Sequence, residues 1–382
     1  MSTAQLVIQF LIQLAIILLA CKAVGALMPR IGQPKVIGEM IAGILLGPSL
    51  LGWLAPAAQV ALFPRESLGV LSTVSQIGLV LYMFIVGMHL HTNFIKHAFR
   101  GAMLISLAGV VAPFVLGAAL ASFLYADGRF FMPSVSSSQS MIYLGAAMSV
   151  TAFPVLARII QERGIAGTAL GTLSLTAGAV NDIIAWILLG AVLVSVDRDF
   201  GLVRFLVSHA VFAAFVIGAL MPRGRLTHEL TRRIEPVASV VLVPLFFAYS
   251  GLSTQLALLW SSDLLSLSII VIVTASVGKA VGCWAAARLA GRRNRESLAI
   301  GALMNARGLM ELIMLNIGLQ RGLITPTLFT VMVMMTLVTT MAAGPLFEWA
   351  WRGSSETQAA ERRAVKGPPQ AERPERGWGP AK

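Results

Sequence analysis

Apolar and polar positions alternate along this chain in blocks, not residue by residue. Runs of about twenty mostly apolar positions recur from the N-terminus to near residue 349, separated by short stretches rich in Arg, Lys, Gly and Pro. A run of that length covers the roughly 30 Å hydrocarbon core of a bilayer when helical. The pattern predicts eleven helices, at about 5–28, 35–54, 69–91, 101–124, 140–160, 169–195, 204–222, 236–258, 265–288, 297–317 and 325–349. Beyond that point apolar periodicity stops, and residues 350–382, rich in Arg, Glu, Pro and Gly, read as a disordered tail.

Composition turns this pattern into a class. Of 382 residues 57% are hydrophobic and 12% charged, and mean hydropathy is +0.81, so an all-α polytopic membrane protein is expected. The net charge of +12 does not point to nucleic acid, because the basic residues sit in short loops and the tail, not on one folded face. Loops after odd-numbered helices hold fourteen Lys and Arg residues against five in the even-numbered ones. That asymmetry predicts an integral protein of the plasma or inner membrane, with its N-terminus outside and its C-terminus and tail in the cytoplasm. The first apolar run lacks a basic leader and is too long for a signal-peptide core, so it reads as a membrane helix. Cys21 and Cys283 both lie in apolar runs and predict no disulfide framework.

The two halves of the chain echo each other. Val36–Pro48 resembles Val211–Pro222 with a one-residue offset, Leu81–Leu90 resembles Leu245–Ser253, and the interrupted segment Thr151–Pro154 answers Asn305–Gly308. Corresponding helices are five apart, an odd number, so the halves cross the membrane in opposite senses. Inverted repeats of this kind place ion sites near the midplane, where discontinuous helices expose backbone dipoles.

Polar chemistry concentrates at those interruptions. Asp182 falls midway along an apolar run, where a centred charge costs about 2.5–3.5 kcal/mol on insertion scales. A carboxylate placed there is suited to holding either a proton or a cation, or to a hydrogen bond between helices. Pro154 removes a backbone donor and is expected to free carbonyls around Val150 and Thr151 to face an ion, although a proline kink alone is common in membrane helices. Lys279 has no acid on its own helix and must reach another helix or an unwound backbone. Arg307 and Glu311, four residues apart, can neutralise each other and support the fold. Lys22 and Glu39 lie nearer helix ends, where snorkelling or capping explains them. His89 and His91, two apart, do not share a helix face as metal ligands would, and no metal site is expected.

At this level of detail Ser149–Ile160, Ala179–Leu188, Pro244–Leu252 and Leu303–Ile313 resemble the monovalent cation:proton antiporter-2 family, part of the sodium/hydrogen exchanger superfamily, and plant cation/H⁺ exchangers in particular. The resemblance covers about residues 15–349. It implies an inverted-repeat antiporter fold with two crossed broken helices, marked here by Pro154, Asn305 and Gly308. It also implies a transmembrane domain over 1–349, with a core at about 101–195 and 265–349. The remaining helices, at about 5–91 and 204–258, would form a panel that pairs into a homodimer. Asp182 would then carry cation and proton, with Asn181 beside it and Thr151 as ligand or support. Lys279 matches the family's Gly-Lys position, and Arg307 stands where plant relatives often carry Lys.

Two departures stand out. Members usually have two further helices between the Asn181-Asp182 helix and the one resembling Val211–Pro222, and His89 and His91 replace acidic residues. The resulting expectation is secondary antiport of Na⁺ or K⁺ against H⁺, without cofactor, electroneutral because Asn181 cannot ionise. The alternatives are a shortened homologue that binds or regulates without transport, and a channel-like cation efflux protein, although no carbonyl-ring filter motif is visible. An enzyme is not expected: intramembrane aspartyl proteolysis needs two carboxylates, and Asp182 lacks a second Asp.

Overall fold

Some helices begin where the sequence supplies a side-chain cap. Ser2 and Gln5 form a reciprocal capping box at the start of α1 (Thr3–Leu27), and Ser136 with Gln139 does the same for α5 (Ser137–Ser149). The computed structural model describes residues 2–89, 95–196, 210–222 and 224–352. The other long helices are α2 (Lys35–Leu46), α3 (Arg65–His89), α4 (Ile95–Asp127), α6 (Phe153–Glu162), α7 (Ala169–Val196), α8 (Ala210–Leu220), α9 (Arg225–Val237), α10 (Val243–Leu252), α11 (Ser262–Leu289), α12 (Asn294–Met304), α13 (Leu309–Gln320) and α14 (Pro326–Trp351). Among the described residues ten helical stretches are long and apolar enough to cross a membrane. The eleventh expected helix, 204–222, is described only from residue 210, and the tail beyond Arg352 lies outside the described residues, as does His91.

The structure differs from the sequence pattern at α9, and it carries the two interruptions expected near Thr151–Pro154 and Asn305–Gly308. α9 is amphipathic and polar, with Arg232 and Arg233 in its second half, and runs through a π-helical turn at Ala238–Leu242 into α10. The apolar count registered only its downstream part. Two of the crossings, α5–α6 and α12–α13, are each split by a short non-helical segment.

The helices pack in two groups. α4 contacts α5, α7 and α11, and α12 contacts α11 and α14, forming an inner bundle around both split helices. α2 packs on α1 and α10, and α3 on α8 and α10, forming a flanking bundle. The inverted repeat is visible in atomic detail. A Cβ on Gly43 of α2 would stand 2.4 Å from the Ala248 oxygen of α10, and one on Gly218 of α8 would stand 2.1 Å from the Phe84 oxygen of α3. Gly43 corresponds to Gly218 and Ala248 to Phe84 in the sequence repeat, so the same glycine crossing is built twice. Only a residue without a side chain lets the two backbones approach so closely.

Candidate functional site

The two split helices meet where their chains leave the helix, extended at Val150 and Ala152 and turning from Asn305 to Gly308. Val150–Ala152 separates α5 from α6, and Asn305–Gly308 separates α12 from α13. The amide of Ala152 donates to the carbonyl of Ala306 at 3.1 Å, so each interruption satisfies a backbone group of its repeat counterpart. Gly308 adopts φ +152°, and a Cβ there would also stand 3.2 Å from Val155 Cγ2, so glycine is required at this bend.

The break falls around Val150 and Thr151, as Pro154 suggested, but Pro154 does not make it by kinking a continuous helix. Pro154 sits in the first turn of α6, where its missing N–H costs nothing, and the helix has already ended at Ser149. The carbonyls that receive cationic donors are therefore those of Met148 and Ser149, the C-terminal end of α5. Arg307 Nη2 donates to Met148 O at 2.7 Å, and Lys279 Nζ donates to Ser149 O. Lys279 thus reaches an unwound backbone from α11. Both cations lie at the negative end of a helix dipole, where they are favoured.

The N-terminal ends receive acids. The Phe153 amide, at the start of α6, donates to Asp182 Oδ1 at 3.4 Å, and Glu311 lies in the first turn of α13. Asn181 Oδ1 accepts from the Thr151 amide at 2.9 Å, while Thr151 Oγ1 donates to Met304 O at 3.2 Å. Seven side chains singled out from the sequence, Thr151, Asn181, Asp182, Lys279, Asn305, Arg307 and Glu311, are all buried around this crossing. Arg307 and Glu311 are fully buried and 3.4 Å apart. Asp182 is 1% exposed, and its Oδ2 has no hydrogen-bond partner among the described residues. Asn181 Nδ2, Asn305 Oδ1, Arg307 Nε and Glu311 Oε2 at the same crossing share that state, so the crossing as a whole holds polar capacity that the described residues do not fill.

One contributor was not recognised from the sequence. Thr340 of α14 accepts from the Arg307 amide at 2.9 Å and donates to the Arg307 carbonyl at 3.0 Å, clamping the second interruption through both backbone groups. The side chain of His89 and all of His91 lie outside the described residues.

This geometry can be set beside known proteins. Residues 15–207 and 189–353 match the family described as sodium/hydrogen exchanger, transmembrane. The Na⁺/H⁺ antiporter NhaS4 of Synechocystis sp. is 37% identical, across 88% of this chain and 95% of its own length. Cation/H⁺ antiporter 17 of Arabidopsis thaliana is 34% identical across 91% of this chain, and K⁺/H⁺ antiporter 1 of Saccharomyces cerevisiae 29% identical across 90%. The chain spans about half the length of the plant and yeast relatives, 49% and 46%. The solved structure of the sodium proton antiporter MjNhaP1 from Methanocaldococcus jannaschii superposes with a TM-score of 0.57 at 11% identity, covering 90% of this chain and 98% of that one, a likeness of fold. The NhaS4 alignment runs over 394 positions but takes up only 88% of 382 residues, about 336, leaving about 58 positions with no residue opposite them here. The two family matches overlap at 189–207, which includes the last two turns of α7. Split helices, buried acid and sequence matches converge: the chain belongs to the sodium/hydrogen exchanger family of monovalent cation:proton antiporters.

Proposed function

We propose that this protein exchanges a monovalent cation, Na⁺ or K⁺, for a proton across the membrane, with Asp182 holding the two in turn. The observation that carries this reading is the buried Asp182 carboxylate, with one oxygen on the α6 N-terminus and the other without a hydrogen-bond partner among the described residues. A hard cation requires oxygen ligands, and the same oxygen accepts a proton when the cation leaves. The inner bundle is the core that carries the site, and the flanking bundle is the panel it moves against, so that Asp182 faces each side of the membrane alternately. The loops rich in Lys and Arg face the cytoplasm. Lys279 is committed to a backbone carbonyl and Asn181 does not ionise, so one carboxylate serves the exchange and one cation moves per proton.

The test is a pH-sensitive dye in reconstituted vesicles holding a preset proton gradient. Addition of Na⁺ or K⁺ is expected to collapse the gradient, at a rate unchanged by an imposed membrane potential. The roughly 58 NhaS4-aligned positions with no residue here leave one rival, a shortened homologue that does not transport, for which no cation would collapse the gradient. Cation flux without proton movement would instead indicate a channel.

Thr340 supplies a second check. Thr340→Val keeps the shape of the side chain but removes both bonds to the Arg307 backbone, each worth roughly 0.5–1.5 kcal/mol. Exchange is expected to slow about tenfold, the kinetic equivalent of about 1.4 kcal/mol, while Thr340→Ser stays near the parent rate. Initial rates in the same vesicle assay decide it.

A further inference from the structure

Glu39 is left unused by the site described above. It stands in the second turn of α2, away from the helix end, so capping does not explain it. Its side chain lines a cleft of about 80 Å³ between the two bundles, together with Tyr82 of α3, Ser239, and Pro154 and Arg158 of α6. Leu309, the first residue of α13, forms part of the same lining. The cleft therefore touches the first turn of both half-helices, and its Pro154 wall is one residue from the amide that meets Asp182. Tyr82 lies within electrostatic reach of both Glu39 and Asp182.

The charges here are arranged to admit a cation. Two helix N-termini, each equivalent to about half a positive charge, converge on the inner end of the cleft and oppose an approaching cation. A carboxylate on the facing bundle offsets them. The positive groups acting on Glu39 are Arg158 and Lys35, but Arg158 Nε is already paired with Glu162 on its own helix at 2.9 Å. Lys35 begins α2 and is exposed to solvent. Glu235 also acts on the Tyr82 end of the cleft and adds negative charge.

We propose that Glu39 is the gateway carboxylate of a second monovalent-cation subsite, lying between the Lys- and Arg-rich face and Asp182, in the cleft that Tyr82 and Ser239 also line. The subsite rests on the antiport reading for its purpose, but not for its detection. A cation is held first in the cleft and then passes to Asp182 when the carboxyl there releases its proton.

In vesicles, Glu39→Gln is expected to raise the KM for Na⁺ or K⁺ by about five- to tenfold with the maximal rate within about twofold, as loss of one charge near the path should do. Glu39→Asp restores a KM near the parent value, and Arg158→Gln lowers it. An unchanged KM, or a fall in maximal rate at constant KM, overturns the subsite. If the parent protein does not exchange at all, the antiport reading fails separately, and cation binding then decides the subsite. Detergent-solubilised Asp182→Asn protein should still be stabilised thermally by Na⁺ or K⁺ over a choline control, and Glu39→Gln in that background should remove the effect. No residual stabilisation in the Asp182→Asn protein overturns the proposal.

Discussion

Arg307→Met is expected to stop exchange and to destabilise the detergent-solubilised protein by about 3–5 kcal/mol, the range for removing one partner of a buried ion pair. Both Arg307 and Glu311 side chains are 0% exposed. The guanidinium also donates to Met148 O and to Ala275 O, at 2.7 and 3.4 Å, so one residue ties α13 to the end of α5 and to α11. Its loss leaves a buried acid without its ion-pair partner, and it leaves the Met148 carbonyl at the end of α5 without that donor. Arg307→Lys keeps the charge but not the planar fork that spans three acceptors, and should fall between parent and Met. Arg307→Met combined with Glu311→Gln should be more stable than Arg307→Met alone, because the unpaired acid is then gone. Thermal unfolding of the purified variants, read beside vesicle exchange, checks all three. If Arg307→Met were as stable as the parent, the pair would not be holding the crossing together.

Much of this architecture was legible in the chain because a bilayer leaves few options. Apolar runs of helical length give the spans, and charges that survive inside them mark the positions that need partners. Asp182, Lys279, Arg307 and Glu311 stand out in that way, and the structure buries all four around one crossing. The break around Val150 and Thr151 was legible, but the carbonyls that take the cationic donors, those of Met148 and Ser149, were not. Proline is compatible with a helix start as well as with a kink, so Pro154 locates the neighbourhood and not the peptide that comes free.

Thr340 was hidden for a related reason. α14 carries Thr330, Thr336 and Thr339, whose hydroxyls donate to carbonyls four residues back at 2.9, 2.9 and 2.8 Å. Sequence alone gives every threonine in a helix that local option. Only the approach of the non-helical Asn305–Gly308 segment diverts Thr340 to Arg307. Glu39 was hidden by its nearness to the chain start of α2, because apart from Val36 the cleft it lines is made by residues 43 to 270 positions away. Glycine spacing, by contrast, carried long-range information: Gly43 and Gly218 occupy matching places in the repeat and make matching crossings.

Asp182→Asn carries the largest expected functional effect with the least expected structural one. The side chains are nearly the same size, and an amide oxygen still accepts from the Phe153 amide, so the bond at the start of α6 can persist. What disappears is the charge that binds a cation and the oxygen that takes up a proton. The variant should therefore fold with near-parent thermal stability, unlike Arg307→Met, while losing exchange. That contrast separates a transport site from a structural hydrogen bond between helices, the other role open to a buried acid.

The most direct measurement is cation-induced collapse of a proton gradient in vesicles reconstituted with equal amounts of parent and Asp182→Asn protein, across Na⁺, K⁺ and Li⁺ and several pH values. The expected result is collapse by the parent with at least one cation, and a signal from Asp182→Asn no greater than from protein-free vesicles. Exchange by Asp182→Asn at the parent's rate and with the parent's cation dependence would contradict the central role of Asp182.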